Sequence, residues 1–141
     1  EAGTHNMAGV AGLLEGLRFV KARGVAAIGA RERQLAARMG EGLSQIPGLQ
    51  VFRADDPADQ AGVLSFRAAW EDCEELCGLL DDMGFALRAG LHCAPLAHRT
   101  AGTLETGTVR FSPSVFNRLQ EVDMLAREAA SIVGQTAKPG A

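Results

Sequence analysis

Residues 85–112 read FALRAGLHCAPLAHRTAGTLETGTVRFS. The two ends, FALRA (85–89) and GTVRFS (107–112), are short apolar runs with branched or aromatic members, bounded by glycine, which is how strands read. The middle, RAGLHCAPLAH (88–98), gathers two of the chain's three histidines, one of its three cysteines, an arginine and a proline. The stretch is therefore a chemically dense loop slung between two strands. Upstream, LQVF (49–52) and GVLSF (62–66) read as two more strands, separated by the polar RADDPADQA. A helix stands between that pair and the loop. Asp72 is placed to cap it, Glu75 follows three residues later as in a capping box, and Gly84 stops it. Leu76, Leu79, Leu80 and Met83 would line its inner face.

Further out, Val10, Leu13, Leu14, Leu17 and Val20 recur at helical spacing between Met7 and about Gly24, with Asn6 or Thr4 as N-cap. Gly9, Gly12 and Gly16 each cost that helix roughly 1 kcal/mol against alanine, so close packing against another element is expected there. A second helix spans Val25 to Ile46, with Ile28, Leu35, Met39, Leu43 and Ile46 on one side, and Pro47-Gly48 ends it. Beyond the loop, Asn117 to Gln120 reads as another capping box, and Val122, Leu125, Ala126, Ala129 and Ile132 carry a helix to about Val133. The tail over 135–141 is expected to be frayed. The order ααββαββα lacks a regular βαβ rhythm. It predicts an α/β fold with a small, mostly antiparallel sheet covered by helices, in one domain over residues 1–134.

Composition narrows the function. Of 141 residues, 47% are hydrophobic and 22% charged, and the net charge of −3 recommends neither a nucleic-acid nor an anionic membrane partner. No window approaches the roughly 18 apolar residues of a membrane span, and no secretory signal is visible. Three cysteines, an odd and sparse set, argue against a disulfide framework and for a reducing, cytoplasmic setting. The chain opens at Glu1 rather than at methionine, as a processed protein or a piece of a longer one would.

Within the loop, Cys93, His92 and His98 could ligate a metal, and Cys73 and Cys77 form an i, i+4 pair. The tandem CxxC or HxxxH spacing of zinc sites is missing, so no metal is expected. Cys73 and Cys77 read as half-buried filler. Cys93 differs: it follows the Gly90 hinge, precedes Ala94-Pro95 and lies outside regular structure. His92 beside it and Arg88 five residues earlier would favour the thiolate. Spacing alone leaves both readings open, a nucleophile and an inert bystander. Arg110, which alternation puts on the face of Thr108 and Ser112, is either a surface charge or a fork for a carboxylate. Gly3-Thr4, just before a helix, is a mild anion-binding signal. GxGxxG, Walker and HExxH motifs are all missing.

Taken together, EAGTHNMAGVAGLLEGLRFV (1–20), RAGLHCAPLAHRTAGTLETGTVRFSPSVFN (88–117) and the closing amphipathic helix resemble the C-terminal part of cysteine desulfurases. Those enzymes belong to the class V aminotransferase branch of fold-type I pyridoxal-phosphate enzymes, next to selenocysteine lyases. The resemblance covers about residues 1–134 and implies the small C-terminal domain of such an enzyme, with 1–24 linking it to a large domain. It implies that Cys93 takes sulfur from L-cysteine as a persulfide for a sulfur-acceptor protein, releasing alanine. Arg110 would hold the substrate carboxylate, with Arg88 and His92 lining the substrate region. Gly3 and Thr4 would reach the cofactor phosphate of the neighbouring subunit in a homodimer. Pyridoxal 5'-phosphate is implied for the full-length enzyme and not for this chain. Neither Lys21, on a helix, nor Lys138, in the tail, matches the Schiff-base lysine, so the chain alone is expected to be inactive. His5 stands where the family usually has proline, and Ser114 and Arg118 depart from its SPGYFNT pattern; neither departure touches the implied chemistry. A selenocysteine lyase or another class V enzyme, and a non-enzymatic persulfide carrier, are the alternative readings.

Overall fold

The computed structural model describes residues 3–69 and 72–136. Five helices and four strands follow in order: α1 (Met7–Arg23), α2 (Val25–Ser44), β1 (Leu49–Phe52), β2 (Leu64–Ala68), α3 (Cys73–Asp82), β3 (Arg88–Gly90), α4 (Pro95–Ala101), β4 (Thr108–Phe111) and α5 (Leu119–Thr136). A short 3-10 turn, Pro57–Asp59, sits in the polar loop after β1. The strands form one sheet in the order β1-β2-β4-β3, and every neighbouring pair is antiparallel. Strands β2 and β3 therefore run the same way with β4 between them, which makes β2-α3-β3 a split crossover. That insertion of β4 carries the loop after β3 back onto the sheet.

Alternation along the strands assigns the two faces. Leu64, Phe66 and Ala68 of β2 and Val109 and Phe111 of β4 are buried, and the register sets Phe66 opposite Val109 and Leu64 opposite Phe111. Against this face pack Leu35, Met39 and Leu43 of α2, Leu76 and Leu80 of α3, and Val122, Leu125 and Ala129 of α5. Each fully buried side chain of this size contributes roughly 1.5–3 kcal/mol. The other face carries Gln50, Phe52, Ser65, Arg67, Thr108, Arg110 and Arg88. Arg67 donates there to Gln50 Oε1 at 2.9 Å and to Thr106 Oγ1 at 3.0 Å. Apolar packing thus holds one side of the sheet and leaves a polar, arginine-bearing side on which a site can stand.

Several local expectations shift. Strand β2 begins two residues later than GVLSF and runs on to Ala68, and of FALRA only Arg88 and Ala89 join the sheet, with Gly90. Asp72 caps α3 by accepting from Glu74 N at 2.7 Å, and Asn6, not Thr4, caps α1 through Gly9 N at 2.9 Å. At the start of α5 the residue that reaches back is Glu121, not Gln120. Its carboxylate accepts from Arg118 N and Asn117 Nδ2, both at 3.1 Å, while Asn117 Oδ1 accepts from Ser114 N. Helix α5 runs on to Thr136, so it takes in Gln135 and Thr136 of the expected tail. The remainder of the expected tail, 137–141, lies outside the described residues. No helix among them is long and apolar enough to cross a membrane.

The largest correction concerns α1. Val10, Leu13, Leu14, Leu17 and Val20 are all exposed, and no residue of the helix is buried. A side chain at Gly12 or Gly16 would meet nothing within 4 Å, and one at Gly9 would meet only the capping Asn6. The glycines are not explained by close packing among the described residues. The C-terminal end of α1 is held where Phe19 stacks on Phe116 at 5.2 Å and Arg23 lies over the Phe19 ring.

Gly107, which opens β4, is a true steric requirement. Its φ is +62°, and an added Cβ would lie 2.8 Å from Cys73 Sγ and 3.0 Å from Gly90 Cα. Left-handed backbone and overpacking together put the cost of Gly107→Ala at about 2–4 kcal/mol. Urea unfolding should show it as a lowered midpoint with unchanged slope. Adding Cys73→Ala should recover part of the loss, because one of the two obstructing neighbours is then shortened.

Candidate functional site

The polar face of the sheet is built from β3 and β4, and their register does most of the positioning. Arg88 lies directly across from Arg110, and Gly90 across from Thr108. Side chains directly opposite on an antiparallel pair share a face, so two arginines issue from neighbouring positions on it. Such a like-charge pair is unfavourable on its own. Among the described residues neither arginine is paired with a carboxylate; the ion pairs found there are Arg18–Glu15 and Arg38–Asp123. Arg110 Nε is also buried without a hydrogen-bond partner. Two arginines on one face of the paired strands and an unpaired buried N–H together describe a place where a carboxylate would be welcome.

After β3 the chain turns sharply. His92 and Cys93 have φ of 50° and 60°, the two non-glycine residues at positive φ among those described, and Ala94 N donates to Leu91 O at 2.8 Å. Two left-handed central residues closed by an i to i+3 bond make a primed β-turn, whose usual occupants are Asn-Gly. Left-handed backbone costs other residues roughly 1–2 kcal/mol each, and strain of this kind gathers at functional positions. Here it sets the exposed Cys93 thiol at the tip of the turn.

The turn is anchored on both sides. On one side His92 Nε2 lies 3.0 Å from the Thr108 carbonyl and 3.3 Å from Thr108 Oγ1. A carbonyl only accepts, so Nε2 carries the proton and Nδ1 is the bare acceptor; that Nδ1 is buried with no partner. On the other side Pro95 opens α4, His98 N donates to Ala94 O, and the helix ends at Gly102 in the left-handed conformation. Buried His98 faces Thr103, with Nδ1 2.7 Å from Thr103 Oγ1, and Thr103 O in turn accepts from Gly107 N. The two imidazoles sit 5.9 Å apart.

Burial is the main cause that lowers the His92 pKa, and its neighbours Arg110, His98 and Arg88 add to it, against the bond to Thr108. His92 is therefore uncharged at neutral pH. The positive charge expected beside the thiol is not supplied by this imidazole. Burial also pushes the Cys73 and Cys77 thiols up, with Asp72 and Glu74 adding to the effect at Cys73, and Asp81 at Cys77. Both stay protonated, consistent with filler. All three cysteines are free thiols, and among the described residues no three His, Cys, Asp or Glu side chains gather as a metal site.

The structure brings His92, Arg88 and Arg110 into one electrostatic neighbourhood, with Cys93 adjoining it in the chain. It does not bring Gly3 and Thr4 there. Both are exposed and precede α1, a helix about 25 Å long that is fastened near its other end. Sequence reasoning missed Thr108 and Thr103 as supports. Their partners are 16 and 5 residues away across turns, and no local pattern announces them.

Three comparisons place the chain among known proteins. The family model for aminotransferase class-V matches residues 1–125. A probable cysteine desulfurase of Mycolicibacterium paratuberculosis is 39% identical over 140 residues, 99% of this chain and 20% of that protein. A cysteine desulfurase of Serratia proteamaculans is 36% identical over 126 residues, 89% of this chain and 30% of that one. Among solved structures, an apo cysteine desulfurase of Thermococcus onnurineus superposes with a TM-score of 0.87 at 32% identity, covering 96% of this chain and 33% of the other. The Escherichia coli cysteine desulfurase CsdA in its S-sulfonic acid form gives 0.81, also at 32% identity, over 96% and 32%. The chain thus spans between a fifth and a third of the length of these relatives. Its α/β fold is that of the matching part of these fold-type I pyridoxal-phosphate enzymes, and the chain belongs to the class-V aminotransferase family.

Proposed function

We propose that the chain is the small C-terminal domain of a cytoplasmic, homodimeric cysteine desulfurase that converts L-cysteine to L-alanine and passes the sulfur on through Cys93 to an acceptor protein. The observation that carries this reading is an exposed thiol on a strained turn together with a half-buried arginine, its Nε buried without a hydrogen-bond partner, on the adjoining strand. A nucleophile and a carboxylate fork are what sulfur abstraction from an amino acid needs on this side of the site. Residues 1–24 form the link from a large domain, and residues up to 134 the domain itself.

Arg110, helped by Arg88, receives the substrate α-carboxylate, whose negative charge offsets the two positive charges on this face. That fixes the amino acid in one orientation, which is where much of the rate of such a reaction comes from. The Cys93 thiolate then attacks the substrate sulfur. An S–S bond forms, the carbon–sulfur bond breaks, and its electron pair stays on carbon, which gains a proton and departs as alanine. His92 stays neutral and lines the substrate region.

Pyridoxal 5'-phosphate, when bound, supplies the electron sink for the bonds that break at the amino acid. The residues present fit only the substrate side of such a site. Lys21 stands exposed on α1 and no lysine lies in the strands or turn that form the site, so the covalent anchor belongs to the remainder of a longer protein. Gly3 and Thr4, exposed before α1, would reach the cofactor phosphate of the neighbouring subunit in the proposed homodimer. The full-length protein, loaded with pyridoxal phosphate and given L-cysteine, should yield alanine and one persulfide per Cys93 before any reductant is added. Alanine without protein-bound sulfur would refute the persulfide route, and no alanine at all would refute the desulfurase. The 141-residue chain alone should give neither product.

A further inference from the structure

We propose that His92 is a positioning residue: its Nε2–H, donated to the Thr108 carbonyl, holds the Leu91–Ala94 turn in its left-handed form and so fixes the Cys93 thiol in register with Arg110. The inference rests on the role proposed for Cys93 and assigns His92 a task other than binding substrate.

Three observations converge. First, His92 and Cys93 occupy a backbone conformation that neither residue type prefers, so something outside the turn must hold it. The bond from Leu91 O to Ala94 N closes the turn but does not choose its hand. Second, the His92 side chain crosses 16 positions of sequence to the backbone of β4 at 3.0 Å. Thr108 is the strand residue paired with Gly90 and stands two before Arg110. Successive residues on one strand face are about 7 Å apart, so one hydrogen bond ties the thiol's turn to the strand that presents the guanidinium. Third, the bond fixes the tautomer. With the proton on Nε2, the bare Nδ1 is buried and unpartnered, a cost the fold bears in order to keep the ring in this orientation.

The chemistry explains why such a tie matters. The thiolate must meet a sulfur two bonds from the carbon that bears the carboxylate, so the distance between turn and arginine is a catalytic dimension. A displacement on the order of 1 Å in such an arrangement costs about 100-fold.

The test uses the full-length protein with His92→Leu, His92→Ala and His92→Gln. Gln carries an amide N–H that reaches where Nε2 reaches; Leu and Ala carry no donor. Hydrogen exchange of the peptide covering 88–98 should speed up about tenfold or more in Leu and Ala and stay within about threefold of wild type in Gln. With L-cysteine, kcat should fall at least about tenfold in Leu and Ala while KM stays within about twofold, and Gln should restore kcat. Unchanged exchange in Leu and Ala would overturn the inference, as would a Gln variant that behaves like Leu. A raised KM with kcat intact would show that His92 binds substrate instead. If the exchange contrast appears in a protein that releases no alanine, the tie to Thr108 stands and the desulfurase reading fails.

Discussion

Cys93→Ala in the full-length protein is expected to lower alanine formation from L-cysteine by at least about 1,000-fold, because the group that takes the sulfur is gone and no neighbour can replace it. Cys73 and Cys77 are the only other thiols of the chain. Burial holds both protonated, and Cys73 is packed beneath the glycine crossing of Gly90 and Gly107. The substitution is also clean structurally. Cys93 is exposed, and alanine meets the same strain at φ 60° that cysteine does, so stability should move by less than about 0.5 kcal/mol. Pyridoxal-phosphate absorbance should be unchanged, since Cys93 takes no part in holding the cofactor. Alkylation should point the same way: iodoacetamide at neutral pH should label Cys93 well before Cys73 and Cys77. An alanine variant that still converts cysteine at more than a tenth of the wild-type rate would exclude Cys93 as the nucleophile.

How far the sequence carries this picture depends on the range of each interaction. The strand TVRF was legible because alternation along β4 is a local rule, and it put Arg110 on the face of Thr108 as observed. The register that sets Arg88 opposite Arg110 was not legible. It depends on how the loop between the strands folds, and that loop contains α4, which the apolar pattern hides because Leu96 is 70% exposed. Its real cues were punctuation: Pro95 at the first helical position and Gly102 just past the last. The cap of α5 went to Glu121 rather than Gln120 because Asn117 is occupied in bonding Ser114, which moves the helix start by one residue. In α1 the apolar stripe was plain, yet its neighbour could not be inferred, because nothing described in this chain covers it. The bond from His92 to Thr108 is the clearest case of the limit. It is a contact between a side chain and a distant carbonyl, and composition and periodicity are silent about it.

Arg110→Ala should separate stability from activity in opposite directions, which makes it the sharpest test of the site. In the free fold Arg110 is a burden. It stands opposite a second arginine, no carboxylate among the described residues pairs with it, and its Nε is buried without a partner. Removing it relieves the like-charge pair and the unpaired donor at the cost of some packing by its stem. The melting temperature of the full-length protein should therefore hold or rise slightly. Activity should collapse, because two charge-assisted hydrogen bonds to the substrate carboxylate are lost together. At about 1.5–3 kcal/mol for each, that is on the order of 100-fold to 10,000-fold or more in kcat/KM. Arg110→Lys should recover little of it, since an ammonium keeps the charge but cannot offer the two parallel N–H groups of a guanidinium. A residue that costs the fold stability and returns it as catalysis is what a functional site looks like energetically. Loss of several degrees in melting temperature with kcat/KM unchanged would reverse that assignment and make Arg110 a structural member of the sheet.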